Sequence, residues 1–78
     1  MLLDKYNRIF TEVFNVDSSQ LTDAFTYKDV AQWSSLAHLD LISKLEDTFD
    51  IMLDIEDVLH FESYENGKSI LRKYGVDI

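Results

Sequence analysis

Cysteine and proline are both missing from this chain of 78 residues, and glycine occurs only twice, at Gly67 and Gly75. Without cysteine there is no disulfide framework, no thiolate metal site and no thiol nucleophile, so any thiol chemistry has to be borrowed. Without proline and without a useful period-two apolar run, strands have no clear place. Cations are scarce: seven Lys and Arg stand against fifteen Asp and Glu, a formal net charge of −8. Phosphate contacts need clustered Lys and Arg, which excludes nucleic acid and leaves partners with basic surfaces as the expectation. Long apolar runs are lacking as well, and Asp4 and Lys5 interrupt the start too soon for a secretory signal or membrane span. The expectation is a cytoplasmic monomer.

What is present is an apolar content of 46%, enough for one small core in a single domain over residues 1–78. Leu3, Tyr6, Ile9, Phe10 and Val13 recur at steps of three and four, which predicts a first helix from Leu2 to Phe14 with Asn15 as its stop. From Asn15 to Trp33 that period is lost. Val16, Leu21, Phe25 and Val30 are expected to pin this long loop to the core, with a short helical turn near Ser19 to Ala24.

Leu36, Leu39, Ile42, Leu45 and Phe49 then predict an amphipathic second helix whose other face carries His38, Asp40, Ser43, Lys44, Glu46 and Asp47. Ile51 and Leu53 mark an extended link, with Met52 and Leu53 read as core or as a lipid-contacting lip. Asp54 is expected to cap a brief third helix that buries Val58 and Phe61. Ser63 caps the fourth, with Tyr64, Gly67, Ile70, Leu71 and Tyr74 inward. Arg72 and Lys73 fall in its last turn and Gly75 just beyond. The predicted fold class is all-α, a four-helix bundle with a long first loop and a short third helix.

The negative charge is concentrated. From Asp40 to Glu62 eight acids face one base, Lys44, while the rest of the chain is nearly balanced. Such a run is either a solvated helix face or a field that steers a basic partner. Between Asp50 and Asp57 it lacks the loop glycine and alternating oxygen ligands of a calcium loop, so no metal site is expected.

The stretch that bears on chemistry is Trp33-Ser34-Ser35-Leu36-Ala37-His38-Leu39-Asp40. Two hydroxyls stand where a long helix begins, and unsatisfied N–H groups there favour an anion. Ser in this place is ordinarily a cap. With Ser34 as the N-cap, Ser35 takes the first helical position with its hydroxyl outward. His38 lies three residues further on, within reach of a base's role, yet no acid is spaced to orient it; an exposed histidine without a task is expected. Trp33 is read as sealing the loop against the bundle.

This stretch resembles the attachment site of the acyl carrier and peptidyl carrier proteins, commonly Asp-Ser-Leu after a loop and often preceded by Trp. The strongest match runs from Trp33 to Phe49, and the resemblance extends over all four helices. It implies a bundle of acyl-carrier type, with 4′-phosphopantetheine from coenzyme A attached to Ser35, Ser34 beside it, and Leu36 packing beneath it. It further implies docking of basic partner surfaces on Asp40, Glu46 and Asp47 of the second helix and on Glu56 and Asp57 of the third. The partners so implied are a phosphopantetheinyl transferase and enzymes that load or transfer the acyl group. The protein would catalyse nothing itself and would carry an acyl or aminoacyl thioester in fatty-acid, polyketide, nonribosomal-peptide or cell-envelope synthesis. Leu39, Ile42, Phe61 and Ile70 are candidates to shelter a fatty cargo, and a plain packed core explains them equally. The chain departs from the family at Ser34, where an acid is usual, and at Ala37, where many fatty-acid carriers have one. The alternative reading is an unmodified, carrier-like acidic docking module.

Overall fold

Tyr6, Ile9, Phe10 and Phe14 share one face of α1 (Leu2–Phe14), and all four are buried. The helix ends where Asn15 turns left-handed at φ 54°, a conformation that asparagine tolerates better than most residues. The computed structural model describes residues 1–78. A short 3₁₀ turn at Ser18–Gln20 follows, then α2 (Ser35–Phe49), α3 (Ile55–Leu59) and α4 (Tyr64–Lys73). The molecule is all-α, as expected, and its radius of gyration is 11.3 Å.

Phe10 lies at the middle of the core. Its ring centroid is 4.9 Å from that of Tyr6, 5.4 Å from Tyr64, 5.7 Å from Phe14 and 5.9 Å from both Phe25 and Trp33. Several of these pairs are edge-to-face, the arrangement that ring quadrupoles favour. The Tyr6 hydroxyl is buried too and donates to the Tyr64 carbonyl at 2.7 Å, so no polar atom is stranded among the rings. Burial pushes this phenol well above its ordinary pKa.

The long loop is fastened at two levels. Phe25 and Trp33 insert into the core, with Val16, Leu21 and Val30 packed against it. The backbone of Tyr27 donates to the Glu62 carbonyl at 3.0 Å and Tyr64 donates to the Phe25 carbonyl at 2.9 Å, an isolated antiparallel bridge between the loop and the link before α4. The helical turn expected near Ser19 to Ala24 lies slightly earlier, because Asp17 accepts from the Ser19 N–H and caps it.

α2 ends at Asp50, also left-handed. Ser63 caps α4 as predicted, and Asn66 completes a capping box by accepting from the Ser63 N–H at 2.9 Å. Asp54 occupies the position before α3 but makes no side-chain cap. Instead the Tyr74 hydroxyl, from the end of α4, accepts from the Asp54 N–H at 2.9 Å. Phe61 is fully buried, while Val58 is only half-buried because α3 is short and lies at the surface.

Candidate functional site at the head of α2

The two serines at the start of α2 have different surroundings. Ser34 is extended and its Oγ accepts from the Ala37 N–H at 3.1 Å, which satisfies one of the donors a helix start leaves over. Ser35 is the first helical residue and is exposed. Its hydroxyl therefore stands in solvent at the positive end of a 15-residue helix.

Beside it runs an apolar groove of about 500 Å³ between the loop, α2 and α3. Tyr27, Trp33, Leu39, Ile55, Val58 and Leu59 contribute to its walls, and Ser34 and Ser35 belong to the same lining. Leu39, Ile55 and Leu59 are more than half exposed, so this end of the molecule presents apolar side chains to solvent.

Leu36 is not packed beneath Ser35, contrary to expectation: it is 81% exposed. The reason lies in the helix period. Each residue advances about 100°, so the run Leu36, Leu39, Ile42, Leu45 drifts back by about 60° per step and cannot stay on one face. The buried residues Leu41, Ile42 and Leu45 define the inward side, and Leu36 falls nearly opposite to it. Leu39 falls to one flank and is 61% exposed, so it belongs to the groove rather than to the core. Ile42 and Ile70 are core residues, and Phe61 is both a core residue and part of the groove lining.

His38 also departs from expectation, since it is half-buried on that inward side and does not lie on the polar face. Its Nδ1 accepts from the Trp33 Nε1–H at 3.0 Å, and its Nε2 lies 2.7 Å from the Val58 carbonyl oxygen. An imidazole that accepts at Nδ1 must carry its proton at Nε2, so Nε2 donates to Val58. One ring thus joins the end of the loop, the first turn of α2 and the body of α3.

The acids separate into free and engaged groups. Asp47 and Glu56 are exposed, and Asp40 is exposed while paired with Lys44 at 2.6 Å one turn on. The carboxylate of Glu46 turns back to accept from the Leu53 N–H at 2.9 Å, closing the link between α2 and α3. Asp57 is paired with Lys73 of α4 at 2.7 Å and also accepts from the Tyr74 hydroxyl. The Lys73 hydrogen bond, followed by that from Tyr74, holds the Asp57 carboxyl below the ordinary carboxylate range. Neither engagement has a local signature in the sequence, because Glu46 reaches across the end of α2 to the link beyond it and Asp57 reaches to the end of α4.

Met52 is 83% exposed whereas Leu53 is buried, so the two residues of that link have opposite roles. No group of three or more His, Asp or Glu is placed to hold a metal ion. No helix is long and apolar enough to cross a membrane. No protein-family model matches this sequence, and no curated protein or solved structure matches it.

Proposed function

We propose that the chain is a carrier of acyl-carrier type, in which Ser35 receives 4′-phosphopantetheine from coenzyme A through a phosphopantetheinyl transferase. The observation that carries this reading is the pair at the head of α2: Ser34 is committed to capping, and Ser35 leaves an exposed hydroxyl where the helix dipole stabilises a phosphodiester. The arm supplies the thiol that a chain without cysteine lacks and bears an acyl or aminoacyl thioester.

In this reading the protein delivers and does not catalyse. Exposed Asp40 and Asp47 along α2 and Glu56 on α3 offer a basic partner an approach surface on the helices that adjoin Ser35. Glu46 and Asp57 add to the same field while holding α3 in place. Weak electrostatic docking keeps encounters fast and reversible, which suits a shuttle that leaves each enzyme after one step. The groove next to Ser35 provides apolar surface for the first part of a cargo chain.

The test is incubation with coenzyme A and a broad-specificity transferase, followed by intact mass. One arm is expected on the wild type and on Ser34→Ala, and none on Ser35→Ala. Addition at Ser34, or no addition to a folded wild type, overturns the reading. An unmodified chain isolated from cells that still makes its partner complexes points instead to an acidic docking module.

A further inference from the structure

We propose that His38 is a proton-sensitive latch which holds the loop end against α2, and so keeps the groove at the head of α2 at its present width, only while its imidazole is neutral. The geometry fixes the sign. Trp33 Nε1–H is a donor and nothing else, and it points at His38 Nδ1 from 3.0 Å. A second proton on the ring would occupy Nδ1 and set two donors face to face. The Val58 carbonyl, 2.7 Å from Nε2, accepts from either charge state, so only the Trp33 end opens.

Release at that end matters because Trp33 is 8% exposed and is wedged between Phe14 and Phe25 of the core, with ring centroids 4.8 and 6.0 Å away. Its indole N–H has no other partner. Losing His38 leaves a buried donor unsatisfied, which favours movement of the loop end away from α2 and a wider groove. Protonation of the imidazole therefore operates the latch.

The other groups around the ring do not counter this. On the groove wall the remaining titratable side chains are Tyr27 from the loop and Glu62 from the link before α4, and Glu62 is its only carboxylate. On α2, Asp40 is paired with Lys44. On α3, Glu56 is exposed and Asp57 is held by Lys73 and Tyr74. His60, at the end of α3, has its Nδ1 at the Glu56 carbonyl. Core contacts with the ring come from Trp33 and Phe61, neither of which titrates.

Trp33 is the only tryptophan, so its indole N–H gives one unambiguous resonance. The experiment follows this resonance and the His38 ring nitrogens by NMR from pH 8 to pH 5 in the unmodified chain, with Nile red as a neutral probe of the groove. At pH 8 His38 should be protonated at Nε2 and the indole N–H shifted downfield. On acidification the downfield shift should be lost in step with His38 titration, indole hydrogen exchange should speed up, and Nile red emission should rise. His38→Gln, which offers a donor and an acceptor without titrating, should remove all three responses. A proton on Nδ1 at pH 8 overturns the proposal, as does an indole resonance indifferent to pH, or an unchanged response in His38→Gln. The unmodified chain is used throughout, so the outcome does not depend on whether Ser35 carries an arm.

Discussion

The Tyr74 hydroxyl donates to the carboxylate of Asp57, seventeen residues earlier in the chain, and so ties the end of α4 to the middle of α3. The same oxygen accepts from the Asp54 N–H, and Lys73 completes the clasp on Asp57. A five-residue helix is too short to persist alone, so α3 keeps its place through such contacts and through His38, while Glu46 fastens the link that leads into it.

Asp57 should therefore contribute stability that depends on pH. Its folded pKa is depressed, so the contribution is complete above the ordinary carboxylate value of about 3.9 and is lost as pH falls through the folded value. Asp57→Asn is expected to lower the thermal midpoint at pH 7. From about pH 4 downward the gap between variant and wild type should shrink, closing as the pH passes below the folded value. A gap that persists unchanged at pH 3 would show that the carboxylate charge is not what holds α3.

Ser34→Ala should destabilise by about 0.5–2 kcal/mol, the ordinary cost of a lost N-cap, because Ser34 Oγ is the acceptor for Ala37 N–H. Ser35→Ala removes an exposed hydroxyl and should stay within about 0.5 kcal/mol of wild type. Urea unfolding of the three proteins measures both. Equal losses at the two positions would mean that the cap is shared.

Gly67→Ala tests the packing of α4 on α1. A Cβ there would meet Phe61 Cζ and the Tyr6 hydroxyl oxygen, each at 2.3 Å, and both side chains are buried. Alanine gains about 1 kcal/mol of helix propensity over glycine, yet overpacking costs about 1–3 kcal/mol, and the loss of the Tyr6–Tyr64 hydrogen bond adds to it. A net loss is expected in denaturant unfolding. A stabilised variant would show that α4 shifts away freely.

Reversing Asp40, Asp47 and Glu56 to lysine should weaken transfer to or from a partner enzyme with little change in helical content, because all three are exposed. Raised salt should mimic the effect on wild type by screening the approach. The thermal midpoint of the free protein should rise with moderate sodium chloride, since a net charge of −8 opposes compactness. Partner transfer that ignores both the reversal and the salt would remove the steering argument.

The sequence by itself determined the helices, because their signals are local. Apolar steps mark α1, Ser34 and Ser63 supply oxygen at two helix starts, and Asn15 accepts the left-handed turn that ends the first helix. The register of Ser34 and Ser35 follows from the same capping rule, so the exposed hydroxyl at the head of α2 is legible in the sequence alone. Which way α2 faces was decided only by packing. A row of threes drifts around a helix, and the side that Leu41, Ile42 and Leu45 bury against α1 turned Leu36 outward and His38 inward. The partners of His38, Glu46 and Asp57 were likewise settled by tertiary structure. A hydrogen bond needs atoms within about 3 Å, and Val58, Leu53, Lys73 and Tyr74 come that close only once α3 has folded back over α2 and α4.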